Sequence, residues 1–169
     1  QILEEGQTHL APVEVVQLLN EMNALARRIL QRRRRAGYLE LDLPEVELVF
    51  DDNNQVVDAH PEDTSFSHKI IEMFMVEANE AVARHLAGKQ LPFLRRQHEA
   101  PSEDKLEQLA RFLRSSGITR ENPRDRQKLQ ALLKQSKNTP AAYPVHVAVL
   151  RSMMQAQYAV SDEGHWALA

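Results

Sequence analysis

The chain has 169 residues, 43% of them hydrophobic, and sets 21 Lys and Arg against 24 Asp and Glu for a formal net charge of −3 at pH 7. That length suffices for one domain with a real core, and the near-balance of charge does not by itself announce a nucleic-acid partner. The absence of cysteine excludes a disulfide frame and any thiolate metal site, and no apolar run is long enough for a membrane helix; a soluble protein in a reducing compartment, the cytoplasm, is expected.

The first element is "APVEVVQLLNEMNALARRILQRRRRAG". Pro12 stands at a helix start, apolar residues recur at Val15, Leu18, Met22, Leu25 and Ile29, and Gly37 supplies the stop, so a long amphipathic helix is predicted. Arg32 to Arg35 fall in its last turns, where cations oppose the negative end of the helix dipole; an RNA-contacting patch is the competing reading. "YLELDLPEVELVFDDNNQVVDA" then alternates, Leu39, Leu41 and Leu43 against Glu40 and Asp42, followed by Val46, Leu48 and Phe50. Period-two patterning with "DDNN" as the connection predicts a small antiparallel sheet, and Asp51, Asp52 and Asp58 read as turn residues rather than metal ligands.

A second long helix is expected from Ser65 or Ser67 to Gly88. On it His68, Glu72, Met75 and Asn79 share one stripe, beside a second stripe of Ile70, Phe74, Val82 and Leu86 that reads as core. "LPFLRRQHEAP" supplies a short extended piece, and Ser102 then starts a capped helix carrying Leu106, Leu109, Phe112 and Leu113 that ends near Gly117. "NPRDRQKLQALLKQ" predicts a shorter helix and "TPAAYPVHVAVLRSMMQAQY" a final long one. The closing "SDEGHWALA" has an apolar end without a stop signal and reads as part of a strand. No repeat, low-complexity tract or interdomain linker is visible. The charge is segregated along the chain: residues 40–80 hold 12 acidic side chains and only Lys69, while residues 89–137 hold 12 basic against six acidic. Such a dipole is compatible with a polyanion on one side, although solvated faces produce it as well.

No catalytic centre can be assembled from these residues alone. His68, His85, His98, His146 and His165 match no zinc spacing, the five glycines are scattered singly, and neither a flanked Ser nucleophile nor a DxD-type carboxylate cluster is present. The sum is an α+β, predominantly helical chain, with long helices packed on a small antiparallel sheet.

Four stretches in order nevertheless resemble one family. "LELDLPEVELVFDDNNQVVDA", "SHKIIEMFMVEANEAVARHL", "RRQHEAPSEDKLEQLARFL" and "LRSMMQAQYAVSDEGHWALA" are similar to consecutive segments of the RNB catalytic domain of the ribonuclease R and ribonuclease II family. The likeness rests on His68, Ile71-Glu72, Met75 and Ala78-Asn79, on His98-Glu99, Pro101 and Lys105-Leu106, and on Leu150-Arg151-Ser152-Met153, Ala156, Tyr158 and Gly164-His165. Trp166 stands where Phe is usual.

The resemblance implies a processive 3′ to 5′ exoribonuclease that hydrolyses single-stranded RNA to nucleoside 5′-monophosphates with Mg²⁺ in a two-metal mechanism. It also implies an incomplete RNB domain, because the family's acidic cluster, expected upstream, and its arginine motif "SPIRRY", expected downstream, do not occur in the 169 residues. The chain alone is therefore expected to be inactive, with no catalytic residue and no metal ligand of its own, and to have as partners RNA and the missing parts of its own catalytic domain. Candidate RNA contacts are Glu72 and Asn79 toward ribose hydroxyls or phosphodiester, Arg95, Arg96 and Arg151 toward phosphates, Tyr158 by stacking, and His165 at a channel for the 3′ end. Trp166 could stack too, though an aromatic among apolar neighbours is more often core. Two other readings stand beside this one: a catalytically inactive RNB-like RNA-binding or regulatory protein, and a helical protein-interaction module.

Overall fold

The computed structural model describes residues 2–62, 65–118, 123–161 and 163–168. Among them are six α-helices, two short 3-10 turns and two separate two-stranded ladders, so the expected α+β, predominantly helical class is what forms. A short helix, α1 (Ile2–Glu5), precedes the long α2 (Val13–Ala36). Gly37 ends α2 at φ 93°, with its N–H donating to Arg34 O and the Tyr38 N–H to Arg33 O, the paired bonds of a left-handed helix stop. A Cβ at Gly37 would lie 3.2 Å from Arg126 Cβ, so both the backbone angle and the close approach call for glycine.

The hairpin β1 (Val46–Phe50) and β2 (Val56–Pro61) is antiparallel, with a register shift between Val49 and Phe50. Asp51 Oδ1 accepts the N–H groups of Asn53 and Gln55, at 2.9 and 2.8 Å, so this aspartate builds the turn, as its context suggested. The strand expected from Leu39 to Leu43 does not form. Leu39 is instead buried, its N–H donating to Ala167 O, and this tertiary bond takes the place of a ladder.

The helix α3 (Phe66–Gly88) packs on α2. Its core face differs from the expected stripe: Ile70, Met73 and Val76 are buried and Val82 is exposed. Beyond Val76 the contact with α2 becomes ionic, because Arg33 pairs with Glu77 and Glu80, and an apolar residue one turn further on finds no partner surface. The strand β3 (Arg95–Gln97) pairs antiparallel with β4 (Gln157–Ala159), and between them lie α4 (Glu103–Ser115), α5 (Arg126–Ser136) and α6 (Ala142–Ser152). The long final helix expected through Tyr158 thus ends at Ser152. The carbonyls of Met153 and Met154 are taken by Lys105 Nζ (2.9 Å) and His98 Nε2 (2.9 Å), tertiary partners that hold this segment extended so that it can enter β4. The closing segment is also no strand: Trp166–Leu168 forms a 3-10 turn.

The core lies in two clusters. Leu39, Leu109, Leu113, Leu129, Leu132, Leu133, Val145 and Val149 join α4, α5 and α6, while Ala26, Leu30, Tyr38, Ile70 and Met73 join α2 and α3. The helices bury their faces against one another, and the apolar residues of β1 and β2 other than the half-buried Val49 stay exposed.

The start of α5 carries a local test of this description. Asp125 caps it by accepting the N–H groups of Gln127 (2.8 Å) and Lys128 (3.2 Å). Asp125→Ala leaves both donors without that acceptor, and a loss of about 1 kcal/mol is expected in urea unfolding; no change in midpoint would show that the cap contributes nothing.

Candidate nucleic-acid interface

The residues singled out in the sequence fall at two places, with Asn79 and Arg151 exposed on their helices apart from either. The first place is a cleft of about 820 Å³ between the stretch after α2 and the helices α3 and α5, whose walls include Tyr38, His68, Lys69, Glu72, Lys134 and Lys137. Glu72 is half-buried there and both its oxygens are engaged. The Tyr38 hydroxyl donates to Oε1 at 2.6 Å, and Lys69 Nζ, one turn back on the same helix, donates to Oε2 at 2.6 Å. Burial of the Tyr38 phenol, followed by its hydrogen bond to Glu72 and then that carboxylate's charge, pushes its pKa well above the ordinary value, so it stays a hydrogen-bond donor throughout the neutral range. The carboxylate is thereby oriented, with lone pairs remaining for a hydroxyl brought into the cleft.

The second place is the β3–β4 ladder, which gathers Arg95, Arg96, Tyr158 and His165. Arg96 sits directly opposite Tyr158, its guanidinium carbon 5.9 Å from the ring centroid. Both are exposed, Tyr158 to 70%. A guanidinium fork beside an open aromatic face is a combination suited to a phosphate and its base. Arg95 is differently employed: it lies over the Phe93 ring at 4.2 Å and donates from Nη1 to the carbonyls of Val160 and Ser161, which ties the ends of the ladder together. His165 stacks on His98, the residue after β3, with ring centroids 4.8 Å apart. Trp166 is half-buried against the α4–α6 cluster, a core position rather than a stacking platform.

Three members of these sites escaped the sequence reading as site residues. Tyr38 was one apolar residue in an alternating stretch, and its meeting with Glu72, 34 positions away, follows from the α2–α3 packing, which has no local signature. Lys69 carried a signal, a cation three residues before a glutamate on a helix. His98 became legible only once its partner in the ladder was known. Of the arginine run only Arg33 is internal, 3% exposed between Glu77 and Glu80; Arg32, Arg34 and Arg35 are exposed, although Arg32 also pairs with Glu77 and Arg34 with Glu40 at 2.7 Å. Among the described residues no group of three or more His, Asp or Glu converges as a cation would need, and of the cleft's acidic residues Glu40, Asp42 and Glu72 are committed to hydrogen bonds and ion pairs of their own. No described helix is long and apolar enough to cross a membrane.

The model of the RNB domain matches residues 1–169. Ribonuclease R of Thermotoga maritima is 35% identical over 159 residues, 93% of this chain and 21% of that protein, and ribonuclease R of Aquifex aeolicus is 33% identical over 157 residues, 92% of this chain and 22% of that protein. The chain therefore spans about a fifth of the length of the curated relatives it matches. Among solved structures, Mycoplasma genitalium RNase R in complex with double-stranded RNA superposes with a TM-score of 0.87 at 23% identity, over 98% of this chain and 31% of that one. Its apo form gives 0.86 at 24% identity, over 98% and 27%. At those identities the structural likeness bears on the fold.

Proposed function

This chain belongs to the RNB domain family, and from that membership we propose that it is the RNA-positioning portion of a processive 3′ to 5′ exoribonuclease acting on single-stranded RNA. The observation that carries the reading is the exposed Arg96–Tyr158 pair across β3 and β4: a phosphate-binding cation and a base-stacking ring held at fixed spacing by a ladder. Glu72, oriented by Tyr38 and Lys69 in the cleft wall, supplies an acceptor for a ribose 2′-hydroxyl, the group by which a protein tells RNA from DNA. Asn79, Arg151 and His165 are the further contacts in this reading.

In this reading the hydrolytic centre, with the Mg²⁺ that such an enzyme would employ, belongs to other parts of the protein. The work of this chain is to hold the strand: arginine against phosphate, phenol against base, carboxylate against ribose.

A fluorescently labelled oligoribonucleotide tests this directly. Affinity is expected to fall as salt rises, and Arg96→Ala to flatten the salt slope by about 1. Tyr158→Ala should cost about 1–3 kcal/mol of binding for the base it stacks. Affinity for a deoxy strand should be lower than for the ribo strand, and Glu72→Gln should narrow that gap. In Mg²⁺ the isolated chain is expected to release no mononucleotides. Absence of salt-dependent RNA affinity would overturn the binding role, and EDTA-sensitive release of monophosphates would overturn the assignment of the hydrolytic centre elsewhere.

A further inference from the structure

His98 and His165 are joined twice. Their rings stack at 4.8 Å with planes 23° apart, and their backbones form an isolated parallel bridge in which the His98 N–H donates to Gly164 O (3.1 Å) and the Trp166 N–H donates to His98 O (2.8 Å). His98 Nε2 lies 2.9 Å from Met154 O, and only an N–H can donate to a carbonyl, so this ring carries its proton on Nε2. The other ring nitrogen is Nδ1. That Nδ1 and the Nδ1 of His165 are both buried without a hydrogen-bond partner among the described residues.

What the pair fastens is the segment Gly164–Leu168, which spans both core clusters. Trp166 packs against the α4–α6 cluster and Leu168 against the α2–α3 cluster. The same segment accepts hydrogen bonds at Trp166 O from Arg126 Nη1 (2.9 Å), at Ala167 O from the Leu39 N–H (3.1 Å) and at Leu168 O from Arg33 Nη1 (3.4 Å). A change at the histidine pair is therefore placed to alter how the two halves of the core are joined.

We propose that the stacked His98–His165 pair is a proton-operated latch: with the His165 ring neutral it holds Gly164–Leu168 across the two clusters, and protonation of that ring frees the segment. A second proton on His165 would leave a cationic ring face to face with the His98 imidazole, its buried Nδ1 without an acceptor among the described residues. Among the described residues the charged side chain that acts on His165 is Arg96 of β3, while Lys105 of α4 and Arg126 of α5 bond the neighbouring carbonyls Met153 O and Trp166 O. The carboxylates adjacent in sequence, Glu99 and Glu163, are exposed to solvent.

Burial first, then His98 and Arg96, holds the His165 imidazole below its ordinary value of 6.5. The sign follows: the folded segment favours the neutral ring, so the latch contributes fully above about pH 6.5 and its contribution is lost as pH falls below that value toward the depressed one.

Trp166 is the chain's single tryptophan and lies inside the latched segment, so selective indole excitation reports on it alone. Between about pH 8 and about pH 5, acrylamide quenching of Trp166 is expected to rise with little change in far-UV circular dichroism. An imidazolium could quench the neighbouring indole without any opening, so amide exchange is the deciding measurement. Below the onset, the protection of the Trp166 and Leu39 amides, corrected for the pH dependence of intrinsic exchange, should fall about tenfold per pH unit, since opening takes up one proton. The double variant H98Q/H165F, which keeps a donor toward Met154 O and a ring in the stack, should lose that slope. Protection that stays flat in the wild-type chain overturns the proposal whether or not the variant folds, and so does a slope that persists in a folded double variant.

Discussion

Replacing Arg33 by Met lowers the stability of the folded chain by about 3 kcal/mol, the low end of what breaking a buried ion pair costs. Arg33 is 3% exposed, and its Nη2 donates to Glu77 Oε1 at 2.7 Å and to Glu80 Oε1 at 2.8 Å. Met restores much of the volume and the helix propensity, so the loss is chiefly electrostatic: two carboxylates remain against α2 without the cation that compensated them. Their own partial exposure, 24% and 37% of the side chain, and the continued pairing of Arg32 with Glu77 keep the figure from the upper end. Urea unfolding followed by circular dichroism measures it. The triple variant with Glu77→Gln and Glu80→Gln should recover part of the loss, because the three groups act as a unit and their effects do not add. A cost under about 0.5 kcal/mol for R33M would place the network in the class of surface pairs.

The network also has a pH limb. Burial alone would raise the pKa of Glu77, but its hydrogen bonds with Arg32 and Arg33 outweigh that, and the carboxyl is held below its ordinary value of 4.5. A depressed carboxylate stabilises the fold above the unfolded value and ceases to do so as pH falls through the folded one. The acid limb of unfolding should accordingly be shallower in R33M than in the wild-type chain below about pH 4.5.

How much of this was legible before the structure depended on the range of the signal. The helix α2 was written in local terms, since Pro12 at one end, Gly37 at the other and an apolar residue every three or four positions specify a helix irrespective of what it meets. The "DDNN" turn was legible for the same reason, as Asp51 completes it with its own side chain. Leu39 to Leu43 had the period of a strand, but strand formation needs a neighbour, and this stretch found the core and the Ala167 carbonyl instead. The last helix was overextended because nothing within "LRSMMQ" stops it; what stops it are Lys105 and His98, both about 50 residues away. The site divides along the same line. Arg96 and Tyr158 could be nominated as residue types that bind RNA, yet their pairing is a property of the β3–β4 register. Glu72 could be placed on a stripe with His68 and Asn79, whereas its hold on Tyr38 comes from the packing of α3 on α2.

The second large effect lies in the α4–α6 cluster, where Leu113→Ala is expected to cost about 2–5 kcal/mol through lost burial and a residual cavity. Leu113 is 1% exposed in the last turn of α4 and belongs with Leu109, Leu129, Leu133, Val145 and Val149, residues of three helices, so no one element can move in to fill the gap. Its carbonyl accepts the Ile118 N–H in the turn at Gly117, where φ is 66°, so the backbone there is pinned as well and resists collapse. Leu94→Ala, at a residue 69% exposed, should change stability by less than about 0.5 kcal/mol under the same conditions. Comparable losses for the two variants would mean that the core is not where this packing puts it. The pair of variants also separates folding from RNA contact. The β3–β4 ladder is fastened to α4 and the end of α6 by the Lys105–Met153 and His98–Met154 hydrogen bonds, none of which Leu113 makes. RNA affinity in L113A should therefore fall only as far as the folded population falls, and lowering the temperature or adding an excluded osmolyte should restore both together. Tyr158→Ala should behave in the opposite way, leaving the unfolding midpoint in place while affinity drops.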